Sequence, residues 1–259
     1  MKIAFSPCPN DTFVFHALVH GLIDGTPEFE VTYADVDVTN TAALDGDFDI
    51  VKVSYAALPW LLDQYELLPC GGALGRGCGP LVVAKPGATV RKVAVPGDRT
   101  TAYLLFRLWA KETYEIEVVP FHEIMPGVAA GRFDAGLVIH EARFTYQTYG
   151  LVKIVDLGEW WEEDTGLPIP LGAILAKPAI KSQATQWIRE SVKMAWADPQ
   201  TSRAYVHEHA QEMQQSVQEQ HIALYVNEFT ESLGEQGYEA ARNLLARAAS
   251  AGITPAVDI

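Results

Sequence analysis

The sequence predicts an α/β protein of two lobes around a central cleft, with C-terminal helices completing the first lobe. Two internal echoes and a change of pattern carry this. Gly46-Asp47-Phe48-Asp49-Ile50-Val51-Lys52-Val53-Ser54-Tyr55 is echoed by Gly131-Arg132-Phe133-Asp134-Ala135-Gly136-Leu137-Val138-Ile139-His140. Upstream, Lys2-Ile3-Ala4-Phe5 is echoed by Lys92-Val93-Ala94-Val95 in the same order. Each pair brackets a β-α-β-α-β stretch, and beyond Pro178 the periodicity becomes helical almost to the end.

The elements follow from local pattern. Residues 2–6 are a short apolar strand, and the loop Ser6-Pro7-Cys8-Pro9-Asn10-Asp11 leads to an apolar helix over 12–20, capped by Asn10 or Asp11. Strands are expected over 28–36 and 49–53, with a short helix over 39–44 between them. Residues 81–85 form another strand, and Pro86-Gly87 makes a turn and crossover. The second run has strands over 92–95, 116–119 and 135–139. Its helices cover 101–111 and 124–130, the latter interrupted by Pro126. A return strand over 173–176 precedes helices over 182–197, 200–215, 218–228 and 238–249. The expected division is 1–85 as the first part of lobe 1, 86–172 as lobe 2, and 173–259 as the return strand and helices that complete lobe 1.

Bulk properties narrow the function. A chain of 259 residues is long enough for two cores, and no segment reaches the length of about 18 apolar residues that a membrane helix needs. The formal net charge of −14 disfavours nucleic acid and anionic membranes as partners. It also means that a carboxylate ligand needs local compensation from cations or helix N-termini. The N-terminus, Met1-Lys2-Ile3-Ala4-Phe5-Ser6-Pro7, has no leader-like apolar region, so a cytoplasmic location is expected. Cys8, Cys70 and Cys78 are odd in number and lack CxxC spacing, which predicts free thiols rather than disulfides or a zinc site.

Ligands of open α/β sheets bind beyond the carboxyl ends of the strands. That rule nominates four strand tips. The first, Ser6 to Thr12, offers Asn10 and Asp11 at a helix start. The second carries Lys52, Val53 and Ser54. A lysine inside a buried strand requires a partner, and Ser54 is placed either to cap the next helix or to bind ligand. The third, Pro96 to Ala102, puts Thr100, Thr101 and Ala102 at a helix N-terminus, with simple capping by Thr100 as the alternative. The fourth places His140 directly after an apolar strand, where an imidazole can act as a base near neutral pH. His16 and His20 are four apart but lack a third metal ligand, and His207 and His209 lie in a polar helix expected to be solvated. The glycine-rich Gly71 to Pro80 stretch lacks a phosphate-binding fingerprint and suits a hinge or a close backbone approach, while Trp160 and Trp161 suit packing.

Several long strings resemble those of the 1,4-dihydroxy-6-naphthoate synthase family: Ser6-Pro7-Cys8-Pro9-Asn10-Asp11-Thr12-Phe13, the Gly71 to Pro80 stretch, Thr100-Thr101-Ala102-Tyr103, His140-Glu141-Ala142-Arg143-Phe144-Thr145-Tyr146, and Trp160-Trp161-Glu162-Glu163 through Leu167-Pro168. The resemblance implies a two-lobed, periplasmic-binding-protein-like (type II) fold. It implies a cytoplasmic carbon–carbon lyase of menaquinone biosynthesis by the futalosine route, which converts cyclic dehypoxanthinyl futalosine to 1,4-dihydroxy-6-naphthoate with dihydroxyacetone as the released fragment. His140 would be the proton acceptor, and Lys52 to Ser54 with Thr101 and Ala102 would bind this small-molecule carboxylate. No metal or organic cofactor is expected, because aromatisation supplies the driving force. Chorismate dehydratase of the same pathway and a non-catalytic solute-binding protein are the alternatives.

Overall fold

The computed structural model describes residues 1–211 and 214–259. The chain begins with β1 (Lys2–Phe5), α1 (Pro9–Val19), β2 (Glu30–Tyr33), α2 (Val36–Ala42) and β3 (Ile50–Ser54). β1 lies between β2 and β3 and runs parallel to both. Two short strands follow, β4 (Glu66–Leu67) and β5 (Ala73–Gly75), and then β6 (Leu81–Ala84). The same unit recurs as β7 (Lys92–Val95), α3 (Thr101–Trp109), β8 (Glu115–Val118), α4 (Phe121–Ala130) and β9 (Ala135–Val138). Here β7 lies between β8 and β9, again parallel to both. After α5 (Ala142–Thr145), β10 (Val152–Asp156) and α6 (Leu157–Thr165), the chain returns as β11 (Ile169–Ala176). The helices α7 (Lys181–Ala197), α8 (Arg203–His209), α9 (Gln215–Tyr225), α10 (Glu228–Glu231) and α11 (Gly234–Ser250) complete it.

Each half of the internal repeat therefore builds one sheet, in the order β2-β1-β3-β11-β4 and β8-β7-β9-β6-β10. The fourth strand of each sheet is antiparallel and is supplied from outside the repeat, β11 on β3 and β6 on β9. The echo has a structural cause. Asp49 Oδ2 accepts the Lys2 N–H at 2.7 Å, and Asp134 Oδ2 accepts the Lys92 N–H at 2.9 Å. The same aspartate thus locks the end of one repeat to the start of its first strand. Hydrogen bonds from the Lys92 and Arg91 backbone hold the Asp134 carboxyl below the usual carboxylate range.

Several expectations are corrected. Residues 81–84, expected within lobe 1, pair with β9 and β10 in the second sheet, so the chain changes sheet between Gly75 and Leu81 rather than at Pro86. α1 begins at Pro9, with Cys8 and not Asn10 or Asp11 at its N-cap. Proline at the first helical position has its φ preset and no N–H to satisfy. Asn10 and Asp11 therefore sit in the first turn, where their side chains are free for other partners. α4 runs through Pro126 without interruption, because Ile124 and Val128 on either side are buried against the sheet. The helix expected over 200–215 spans residues 212 and 213, which lie outside the described residues; within the described part Arg203–His209 is helical and Gln215 already begins the next helix, α9. His209 is half-buried rather than solvated, its ring tilted against Tyr33 with centroids 4.4 Å apart. No helix among the described residues is long and apolar enough to cross a membrane.

The C-terminal helices pack on the first lobe, with α7, α8 and α9 against α1 and α11 against β11. Trp161 is fully buried and donates its indole N–H to the Pro168 carbonyl at 3.0 Å, a packing role. The crossover between sheets is pinned by Arg143, which donates to the Gly79 carbonyl and to Asp156 Oδ2, each at 2.6 Å. Asp156 Oδ1 in turn caps α6 through the Gly158 and Glu159 N–H groups. Gly79 is required here by proximity, since a Cβ at that position would overlap the Gly158 backbone nitrogen. Gly79→Ala is accordingly expected to destabilise the protein by about 1–3 kcal/mol through overpacking at the crossover. Urea denaturation measures this, and a variant as stable as the parent would show that the approach of the two backbones is not a constraint.

Candidate active site

The tips of β1, β3, β7 and β9 converge on one cleft between the lobes. Every residue nominated from the sequence lines it: Asn10, Asp11, Lys52, Val53, Ser54, Thr100, Thr101, Ala102 and His140. Ser6, Thr39, Leu171, Gly172, His221 and Tyr225 also contribute to its wall.

Lys52 is buried in β3, and its ammonium is paired with Asp11. The same carboxylate accepts the Ser6 hydroxyl at 2.7 Å and the Asn10 amide at 2.8 Å. A buried charge is tolerated when it is paired and its remaining lone pairs are satisfied, as here. Two prolines hold this loop, so the cluster forms a fixed polar floor.

Ser54 ends β3. Its N–H donates to Asn40 Oδ1 at 2.7 Å, and its hydroxyl accepts from Asn40 Nδ2 at 3.0 Å. Asn40 is fully buried and also donates to the Arg99 carbonyl of the facing lobe at 3.2 Å. The other hydroxyls are occupied differently from expectation. Thr100 caps α3, accepting the Tyr103 N–H at 3.2 Å and donating to the Gly97 carbonyl at 2.8 Å. Thr101 is an interlobe fastener: it donates to the Leu171 carbonyl on β11 at 2.7 Å and accepts the Ala56 N–H at 3.2 Å. Gly97 provides a further contact between lobes, because any Cβ there would overlap the Asp37 carboxylate. The lobes therefore meet directly around the cleft.

His140 follows β9 with φ of 55°, the one non-glycine residue with positive φ among the described residues. That conformation costs about 1–2 kcal/mol for an L-residue. It turns the chain out of the strand direction at the cleft. The ring packs edge-on to Phe121 at 5.3 Å, and its buried Nε2 has no hydrogen-bond partner among the described residues. Burial lowers its pKa below the ordinary imidazole value; the Asp35 and Asp11 carboxylates oppose that shift and Lys52 adds to it. The net effect favours the neutral form of the ring.

The sequence did not point to the wall residues His221 and Tyr225, nor to Asn40, which supports the wall through Ser54. Asn40 was hidden in a short helix with no motif. His221 and Tyr225 lie one turn apart on α9, far along the chain from the strand tips. Tyr225 donates its hydroxyl to the Cys78 carbonyl at 3.1 Å, which anchors α9 to the crossover. The i, i+4 spacing of two polar aromatics was the available signal.

One group of possible metal ligands is present among the described residues. Cys8, His140 and Glu141 each bring a ligand atom within 4.8 Å of the others. Burial, with the Glu141 and Asp11 carboxylates, pushes the Cys8 thiol well above its ordinary value.

Similarity to known proteins extends over the whole chain. The menaquinone biosynthesis family matches residues 1–250. A 1,4-dihydroxy-6-naphthoate synthase of Streptomyces coelicolor is 59% identical, covering 99% of this chain and 95% of the relative. The enzyme of that name from Thermus thermophilus is 46% identical, covering 98% and 95%. A crystal structure of an Archaeoglobus fulgidus protein superposes with a TM-score of 0.92 at 31% identity, covering 97% of each chain. The alkanesulfonate-binding protein SsuA from Xanthomonas axonopodis pv. citri superposes at 0.73 with 12% identity, covering 98% and 94%. The periplasmic-binding-protein-like fold class expected from the sequence is therefore borne out.

Thr101→Val removes the interlobe fastener and leaves the Leu171 carbonyl and the Ala56 N–H without it. The expected result is a loss of about 1–3 kcal/mol in stability together with a raised KM. Thermal unfolding and steady-state kinetics on the same preparation test this, and an unchanged melting temperature with unchanged KM would rule the fastener out.

Proposed function

Because the chain belongs to the menaquinone biosynthesis family, we propose that its cleft converts cyclic dehypoxanthinyl futalosine to 1,4-dihydroxy-6-naphthoate, with release of dihydroxyacetone and with His140 as the base. The activity is that of a 1,4-dihydroxy-6-naphthoate synthase, a lyase. The observation that carries the histidine's role is its setting. It is a neutral imidazole at a strand tip, aimed into an interlobe cleft, in a backbone conformation that only a surrounding structure sustains.

In this reading the substrate carboxylate lies at the first turn of α3. Thr101 and Ala102 line the cleft there, and the N–H groups of a helix start are anion-binding. Their local field offsets the chain's net charge of −14. His140 takes a proton from a hydroxyl of the sugar-derived ring. The alkoxide then becomes a carbonyl as the adjacent carbon–carbon bond breaks, and the electron pair enters the ring system that aromatises. Lys52, Asp11 and Asn10 orient polar groups at the floor. Exclusion of water by the facing lobes strengthens each of these interactions. A cytoplasmic location belongs to the same reading, and three buried free thiols suit a reducing compartment.

Incubation of purified protein with substrate and mass analysis of the products tests the assignment. Cyclic dehypoxanthinyl futalosine should yield the naphthoate, and chorismate should be returned unchanged. Turnover should survive exhaustive chelation. Loss with EDTA and recovery with a divalent cation would instead place a metal at Cys8, His140 and Glu141.

His140→Asn should lower kcat by about 10²–10⁴-fold while substrate binding stays near the parent value. The sign of the pH dependence follows from burial. The base acts when neutral, and its pKa is lowered, so kcat/KM should rise with pH through a midpoint below about 6.5, the ordinary imidazole value, and level off above it. A near-normal kcat in the folded variant, or an acid limb centred above 7, would remove His140 from this role.

A further inference from the structure

We infer that His221 is a second substrate-contacting imidazole, which pairs with a hydroxyl group of the substrate across from His140. The inference rests on the proposed function for its ligand, and on geometry for its place.

His221 is 1% exposed and lines the cleft from α9, which belongs to the first lobe, whereas His140 enters from the second. The two ring centroids are 6.4 Å apart. The imidazoles therefore address the same part of a bound molecule. Neither Nδ1 nor Nε2 of His221 has a hydrogen-bond partner among the described residues. A buried polar side chain left with both nitrogens unpaired is costly, and a site that tolerates it has a reason to do so. The ring is also fixed in place: Tyr225 packs 4.6 Å away and Phe144 6.5 Å away. It is thus held at the wall by ring contacts and oriented by no hydrogen bond from the described residues.

The chemistry of the partner follows from the ring's state. Burial, with His140 and Lys52 nearby, holds His221 well below the ordinary imidazole value, so it is neutral. A neutral imidazole presents one N–H donor and one acceptor nitrogen. A carboxylate offers only acceptors and would leave the second nitrogen unsatisfied. A hydroxyl is both donor and acceptor, and adjacent hydroxyls satisfy both nitrogens. This matches the hydroxylated, sugar-derived portion of the proposed substrate, the portion from which His140 removes its proton. The carboxylate then lies at the other end, against α3.

The test compares His221→Phe, which keeps the ring's bulk, with His221→Gln, which keeps a donor and an acceptor. Substrate affinity is read as Kd in the His140→Asn background and as KM with His140 intact. The hydroxyl-free probe 2-naphthoate is titrated in parallel. We expect His221→Phe to weaken substrate binding about 10–100-fold and His221→Gln to recover most of it, with 2-naphthoate unaffected. Parent-like substrate affinity in His221→Phe overturns the proposal. So does equal loss for substrate and 2-naphthoate in both variants, which would mark a packing role. A parent protein that binds the substrate but never converts it would refute the proposed function and leave the Kd comparison to decide His221.

Discussion

The buried pair of Lys52 and Asp11 is the constraint from which the cleft is organised. Lys52 lies inside β3, largely withdrawn from water, so its charge obliges a carboxylate to meet it. Asp11 does so only because α1 starts at Pro9 and turns its first residues inward. Ser6 and Asn10 then complete the carboxylate's hydrogen bonds, and the tip of β1 is tied to the tip of β3. Removing either partner would strand a charge, which typically costs about 3–5 kcal/mol. The pair also shapes the electrostatics of His140. Asp11 raises that imidazole's pKa and Lys52 lowers it, and desolvation is the larger influence.

A repeated scaffold supports an unrepeated chemistry. Both halves use the same strand order and the same aspartate lock, Asp49 and Asp134. They diverge at the position after the lock's strand. Tyr55 stands in one half and is fully buried in the core; His140 stands at the corresponding place in the other and faces the cleft. The backbone explains the difference, for His140 takes a left-handed conformation that swings it out of register. Sheet architecture thus positions both tips, and one strained residue converts a packing position into a cleft position.

The hydroxyls around the cleft divide between ligand and lobe. Thr100 is consumed by the cap of α3, and Thr101 by contacts across the lobes. Ser54 accepts from Asn40 and keeps its own proton available to donate. What remains to face a ligand is the first turn of α3, the polar floor, and two imidazoles from opposite lobes. An acidic protein can bind an anion in such a place because backbone N–H groups act locally, whereas the net charge acts at long range through screening solvent.

Much of this was legible in the sequence, and the limits are physical. Strand and helix periodicities are local, so the doubled β-α-β-α-β unit, the C-terminal helices and the four strand tips could be read from short windows. So could every nominated site residue from Asn10 to His140, since a strand's carboxyl end is a cleft position wherever the sheet lies. β4 and β5 are too short to show a period, and β10 is exposed along most of its length, so these strands had no apolar signature. The sheet that β6 joins depends on pairing with residues 51–75 positions away, which no window contains. The same holds for the hydroxyls. The sequence determined which polar groups stand at the cleft; only the tertiary structure decided which were spent on other protein groups, as Thr101 is on Leu171, and which were left to meet a ligand, as His221 is. Hydrogen-bond satisfaction is a property of the whole packed molecule, because each buried group's partner arrives from wherever the chain happens to return.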